Sequence, residues 1–267
     1  MPRRSQIAGI VAGLEQALQA LTAEDLAPTS RERAVLRDLS AQLRDALRNA
    51  DPVRQPDAMF DPSDPGLLGG VAALALVAQE RRDLSSLQPF YGSGVYAVYY
   101  HGSHPAYAQV AGTETPLYVG KAVPAKPKAL TAEDQGTKLF GRLREHAKSI
   151  SQVENLDPHD FHCRFLVVQS GWEGAAETRL IQLFRPVWNN ETQVCYGLGK
   201  HGDDSQTRRN RRSPWDTLHP GRGWATSAAH HKSVPEILTE IARHFEEVPP
   251  FEDPSGLIKR FIDDLRQ

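Results

Sequence analysis

Gly94-Val95-Tyr96-Ala97-Val98-Tyr99-Tyr100 decides how this chain is read. Its β-branched and aromatic side chains predict a strand, and Leu117-Tyr118-Val119-Gly120 predicts a second one. Further on, the spacing predicts a helix over roughly 138–150, a strand near 161–169, and a helix over 173–185 that Pro186 stops. Strand, strand, helix, strand, helix is the order of a small α+β core, expected over residues 86–195.

Upstream the texture is helical. Ile7, Ile10, Val11, Leu14, Leu18 and Leu21 recur at helical spacing, as do Val35, Leu36, Leu39, Leu43 and Leu47 after a capping box from Thr29 to Glu32. A Pro/Asp-rich break over residues 51–65 leads into a third helix, roughly 66–82, so residues 1–85 form a helical N-terminal block. Downstream, residues 196–232 are rich in Gly, Pro and Arg and predict a long loop. Two short helices near 234–247 and 254–266 complete a third segment, 196–267.

The bulk numbers narrow the class. Of 267 residues, 40% are hydrophobic and 24% charged, an ordinary globular balance. The longest near-continuous apolar run, Leu67 to Val77, falls short of the roughly 20 residues that a bilayer span needs. The start of the chain lacks a signal-peptide apolar core, so a cytoplasmic location without membrane contact is expected. Cys163 and Cys195 are too few for a disulfide framework or a four-cysteine zinc site. A net charge of −2 argues weakly against a nucleic-acid partner, but its distribution argues the other way. Residues 196–232 carry seven Lys/Arg against three acids, whereas 233–267 carry four against eight. Localised basic charge is what binds phosphates.

Glu177 shares a helix face with Leu180, Ile181 and Phe184. A carboxylate in an apolar stripe needs a cation, which can be a metal ion or an arginine such as Arg179 or Arg185. On the helix at 138–150, Arg142 and His146 lie four residues apart along one edge of the apolar stripe. A guanidinium suits phosphate and an imidazole titrates near neutrality, although an exposed helix edge accounts for the pair equally well. Tyr96 and Tyr118 in adjacent strands are, taken alone, ordinary packing.

Together these residues say more. Gly94-Val95-Tyr96, Tyr118-Val119-Gly120, Arg142, His146, Glu177 and Asn189 occur in the order and spacing of the GIY-YIG nuclease superfamily, which the chain resembles over about residues 90–190. Val95 and Val119 replace the usual isoleucines of the two motifs. Phe90-Tyr91-Gly92-Ser93, Lys121-Ala122, Arg185-Pro186-Val187-Trp188-Asn189 and Tyr196-Gly197-Leu198-Gly199-Lys200-His201-Gly202 resemble the branch of type II restriction endonucleases that cuts the palindrome CCGCGG.

The resemblance implies a core built on a three-stranded antiparallel sheet flanked by helices, hydrolysis of double-stranded DNA with Mg2+ (or Mn2+) held by Glu177, and a homodimer on DNA. It makes Tyr96 the general base, Tyr118 a positioner of water or phosphate, and Arg142 the partner of a phosphate oxygen. His146 would accept the Tyr96 proton, and Asn189 would brace the site. Only ~0.1% of an unperturbed tyrosine is ionised at neutral pH, so Tyr96 needs help worth about three pKa units, with Lys121 and the cation as expected sources. Lys121, Lys200, Arg208, Arg209, Arg211, Arg212 and Arg222 are the expected DNA contacts, flanked by Trp215 and Trp224; arginine on guanine would suit a GC-rich site. A homing or repair nuclease and a catalytically inactive DNA-binding protein are the rival readings.

Overall fold

The computed structural model describes residues 2–22, 28–51, 53, 61, 63–199, 212–225 and 232–265. The chain divides into two compact units, Met1–Phe60 and Asp61–Gln267. In the first, helix α1 spans Pro2–Leu21 and α2 spans Ser30–Ala50. The expected capping box is present: the Thr29 hydroxyl accepts from the Glu32 amide while the Glu32 carboxylate accepts from the Thr29 amide. Apolar residues of both helices, among them Ile7, Leu18 and Leu47, are exposed.

The second unit begins with α3 (Pro65–Val77), capped by Asp64 with Pro65 in its first turn. This helix, grouped by sequence with the N-terminal block, lies in the same compact unit as the sheet. The sheet comprises β1 (Arg82–Asp83), β2 (Gly94–Tyr100), β3 (Tyr118–Ala122) and β4 (Phe161–Val167). Its order is β1-β4-β2-β3 and every pairing is antiparallel. The expectation of three strands is corrected to four. The extra one is a two-residue edge strand, too short for any period-2 pattern to reveal.

The remaining α-helices among the described residues are α4 (Ala132–Gln135), α5 (Lys138–Ser151), α6 (Glu173–Phe184), α7 (Pro214–Leu218), α8 (Val234–Glu247) and α9 (Pro254–Asp264). Arg185 ends α6 in the left-handed region, just ahead of Pro186. The long basic loop expected at 196–232 is covered only in part, because 200–211 and 226–231 lie outside the described residues.

Strand β2 is central and buried along its whole length. Alternation sends Tyr96, Val98 and Tyr100 into a core with Leu139, Leu143 and Ile150 of α5. Val95, Ala97 and Tyr99 face the opposite core, with Leu76 of α3 and Leu180, Ile181 and Phe184 of α6. Helices therefore cover both faces of the sheet, and the tyrosines of β2 divide between them. At Gly94 the backbone takes φ +150°, and a Cβ there would strike the Leu166 carbonyl of the neighbouring strand. Glycine at this position is a condition of sheet pairing.

Candidate active site

Register places Tyr96 of β2 opposite Gly120 of β3. A Cβ on Gly120 would stand 2.5 Å from the Tyr96 hydroxyl, so the glycine of one strand makes room for the tyrosine of the other. The Tyr96 hydroxyl also lies 2.7 Å from His146 Nε2, which α5 delivers from the turn beyond Leu143. His146 is fully buried, whereas an edge position was expected from the sequence. The Tyr118 ring completes a cluster, 6.2 Å from that of Tyr96 and 4.9 Å from that of His146 between centroids.

In front of this cluster lies a cleft of about 730 Å³, lined by Tyr118, Arg142, Glu177, Asn189, Glu191 and Gly199 among others. Four of the six residues singled out by sequence border it, and Tyr96 and His146 stand behind Tyr118. Arg142 forms an ion pair with Glu145, at 2.5 Å, one turn along α5. Glu177 projects from α6 to Lys121 of β3, Oε2 to Nζ 2.9 Å. The arginines considered as its partners go elsewhere: Arg179 pairs with Asp264, and Arg185 forms the left-handed cap.

Asn189 does something the sequence did not specify. Its Oδ1 accepts from the Val119 amide at 2.9 Å and its Nδ2 donates to the Val119 carbonyl at 2.8 Å. The side-chain amide thus replaces one residue of a neighbouring strand at the open edge of β3. A buried edge with unmet backbone groups would be costly, and this pairing removes the cost while fixing the strand that carries Tyr118 and Lys121.

Burial pushes the Tyr96 phenol well above its ordinary range; neighbouring Tyr118 adds to this, Arg142 opposes it and Glu177 adds a little. Tyr118 is raised by burial in the same way, again against the pull of Arg142. For Arg142 burial acts downward, but Tyr96, Glu145 and Tyr118 prevail and its guanidinium holds its proton more firmly than usual. Lys121, expected to favour phenolate at Tyr96, is directed at Glu177 instead. The nearby positive charge acting on both phenols is Arg142.

The donor chemistry suits a hard divalent cation. The acidic groups lining the cleft, Glu177 and Glu191, offer oxygen ligands, and no thiol borders it. Glu177 already accepts a cationic partner in the form of the Lys121 ammonium. Among the described residues no group of three or more His, Cys, Asp or Glu could encage a metal. The cleft therefore fits an ion that keeps much of its shell as water or substrate oxygen, a habit of Mg2+.

The expected DNA contacts separate. Lys121 is paired with the Glu177 carboxylate. Arg212 donates from Nε to the Ala225 carbonyl, 2.9 Å away. Arg222 is 2% exposed, paired with buried Asp216 and stacked over Trp215, so its guanidinium is committed to the interior. Trp215 is likewise fully buried and does not flank a DNA surface. Lys200, Arg208, Arg209 and Arg211 lie outside the described residues. Sequence reasoning missed Glu191 and Gly199, whose positions become visible only when the segment after Asn189 folds back over β3.

A search of curated proteins found no match. Over residues 88–245, more than half of the chain and all of the site just described, the sequence matches the family model described as the Eco29kI GIY-YIG domain. Both motif strands, the Tyr96–His146 contact and the cleft before Glu177 lie within that span, and the chain belongs to the Eco29kI GIY-YIG domain family of nucleases.

Proposed function

We propose that the protein is a type II restriction endonuclease that hydrolyses double-stranded DNA at a GC-rich palindrome, CCGCGG by resemblance, as a homodimer on its site. The observation that carries this reading is one cleft bordered by Tyr118, Arg142, Glu177 and Asn189, with the Tyr96–His146 pair directly behind it. A symmetric target implies two identical subunits, each cutting one strand.

Glu177 is the residue to hold Mg2+ (or Mn2+). When bound, the ion supplies charge stabilisation for the phosphorane-like transition state and the departing 3′ oxygen. Arg142 would neutralise a non-bridging oxygen of the same phosphate. Tyr96 would take the proton of the attacking water and pass its own to His146 along their 2.7 Å contact. Such a relay lowers the demand for free phenolate, which burial makes scarce. Tyr118 orients water or phosphate from its place at the cleft wall, and Asn189 holds the Tyr118 strand. Phosphate and base contacts fall to Lys121, Arg212 and the segment bearing Lys200, Arg208, Arg209 and Arg211; Arg222 leaves that set because it is buried.

Incubation of plasmid DNA with the protein and Mg2+, followed by sequencing of the ends, tests the reading. Discrete double-strand cuts at one palindrome are expected. Nicking confined to branched DNA, or binding without any cleavage, would overturn it.

A further inference from the structure

The long segment after the catalytic core is described at both flanks, and the two flanks meet on one buried charge. Arg222 Nε and Nη2 lie 2.7 and 2.6 Å from Asp216 Oδ1, with each side chain only 1% exposed. The same guanidinium donates to the Gly197 carbonyl at 3.0 Å and the Leu198 carbonyl at 3.1 Å, and lies 4.5 Å above the Trp215 ring. Asp216 Oδ2 in turn accepts from the Ser213 hydroxyl at 2.5 Å. The fork thus fastens residues 197–198 to residues 213–222, and the Trp215 amide adds a bond to the Tyr196 carbonyl.

A buried ion pair is poor support for stability, since apolar residues of similar volume usually do as well. Its attested use is to fix one arrangement among several. The arrangement here concerns irregular backbone. Gly197 sits at φ +121°, and a Cβ there would collide with the Ser213 side chain. Among the described residues, the carbonyls of 197 and 198 take their donors from Arg222. Two residues on, a Cβ at Gly199 would stand 3.4 Å from the Tyr118 hydroxyl and 4.0 Å from both Arg142 Nη2 and His146 Cε1. The backbone held by Arg222 therefore sets the width of the space facing those three side chains.

We propose that Arg222 is a positioning residue: paired with Asp216, it holds the Gly197–Gly199 backbone as the wall of the cleft against which Tyr118, Arg142 and His146 work. The proposal rests on the nuclease reading for its consequence in rate, because a misplacement near 1 Å at a reacting centre costs on the order of 10²-fold. Arg222→Lys keeps the charge at Asp216 but lacks the planar fork needed for both carbonyls. The double variant Arg222→Met/Asp216→Leu removes both charges together, so it leaves none buried alone. Leu257→Ala, in the core on the opposite face of the sheet from Leu198 and Trp215, supplies a stability control.

Each variant is assayed below its own melting temperature. Both Arg222 variants should lower single-turnover cleavage at least tenfold, hold DNA affinity within about threefold, and raise hydrogen exchange at the amides of 197–199 at least tenfold. Leu257→Ala should move neither the cleavage rate nor that exchange. Wild-type cleavage and exchange in either folded Arg222 variant would overturn the proposal, as would losses in Leu257→Ala that match theirs. The exchange measurement needs no substrate. If the wild-type protein cleaves no DNA, the nuclease reading fails, while exchange at 197–199 still decides whether Arg222 holds the wall.

Discussion

The Tyr96 hydroxyl stands 2.7 Å from His146 Nε2, and both side chains are fully buried. Phenol and imidazole thus share one hydrogen bond behind the cleft, with Arg142 as the charge that opposes the effect of burial on the phenol.

That relationship fixes the behaviour of Tyr96 in the protein without metal. Its pKa is raised, so the neutral phenol persists to higher pH than in a free tyrosine. Ultraviolet difference titration of wild type against Tyr96→Phe should show no ionisation from this residue below pH 10. Tyr96→Phe should fold, because it removes one oxygen above Gly120 and a single hydrogen bond to His146 Nε2, and should slow cleavage by roughly 10²–10⁴-fold. A phenolate signal near neutrality, or full cleavage by the variant, would remove Tyr96 from its proposed role.

Glu177 and Lys121 make a paired prediction from their 2.9 Å contact. Glu177→Ala should retain DNA affinity while cleavage falls by at least about 10²–10³-fold. Lys121→Met frees the carboxylate from its ammonium partner, and the pair is partly exposed. Mn2+ affinity measured without DNA should then rise roughly two- to fivefold, the scale of an exposed ion pair. Weaker Mn2+ binding in Lys121→Met would contradict the assignment of Glu177 as the metal ligand.

Asn189 should matter to stability before chemistry. Asn189→Ala leaves the Val119 amide and carbonyl unmet at a buried edge, a loss of about 1–3 kcal/mol in denaturant unfolding. Asn189→Asp keeps an acceptor but cannot donate to the carbonyl. Exchange at the Val119 amide should accelerate more in the alanine variant than in the aspartate variant. Unchanged midpoints in both would show that the edge needs no such partner.

Acid sensitivity follows from His219. Its ring contacts the Tyr107 hydroxyl at 2.6 Å and Asn155 Oδ1 at 2.9 Å, and burial pulls its pKa well below the ordinary 6.5. The unfolded chain takes up this proton first, so stability from neutral His219 is full above pH 6.5 and is lost as pH falls towards the depressed folded value. Its contribution to the slope is at most about 1.4 kcal/mol per pH unit. His104, His162 and His244 are shifted in the same direction by burial and add to the trend. Urea midpoints of wild type should drop between pH 6.5 and 5, and His219→Gln should show a shallower drop. An equal slope in both proteins would place the acid response elsewhere.

The elements of the core were legible because their patterns are local. The strand read from 94–100 is Gly94–Tyr100, and the helix read from 138–150 is Lys138–Ser151. Strand β1 was illegible, since two residues carry no periodicity, and its existence depends on β4 arriving some eighty residues later. The partner of Glu177 was hidden for a related reason: sequence spacing weighs neighbours on the same helix, whereas Lys121 comes from a strand. Arg222 misled because Gly/Pro/Arg-rich composition reads as solvated loop, yet Asp216 and Trp215 internalise this arginine. Charge counting registers how many cations a segment has, and it is blind to which of them folding consumes.

Gly120 carries a consequence for how such motifs drift. Its absent side chain is the volume that the Tyr96 hydroxyl occupies, so the second motif's last letter is hostage to the first motif's last letter. While the phenol stays, alanine at 120 is sterically forbidden; phenylalanine at 96 does not lift the prohibition, because the ring carbon Cζ would still stand 2.7 Å from that Cβ. An alanine there would accordingly mark a residue smaller than phenylalanine at 96, a fossil of surrendered chemistry readable in a genome before any assay. Gly94 offers no such warning, because an inactive descendant would still need it to assemble its sheet.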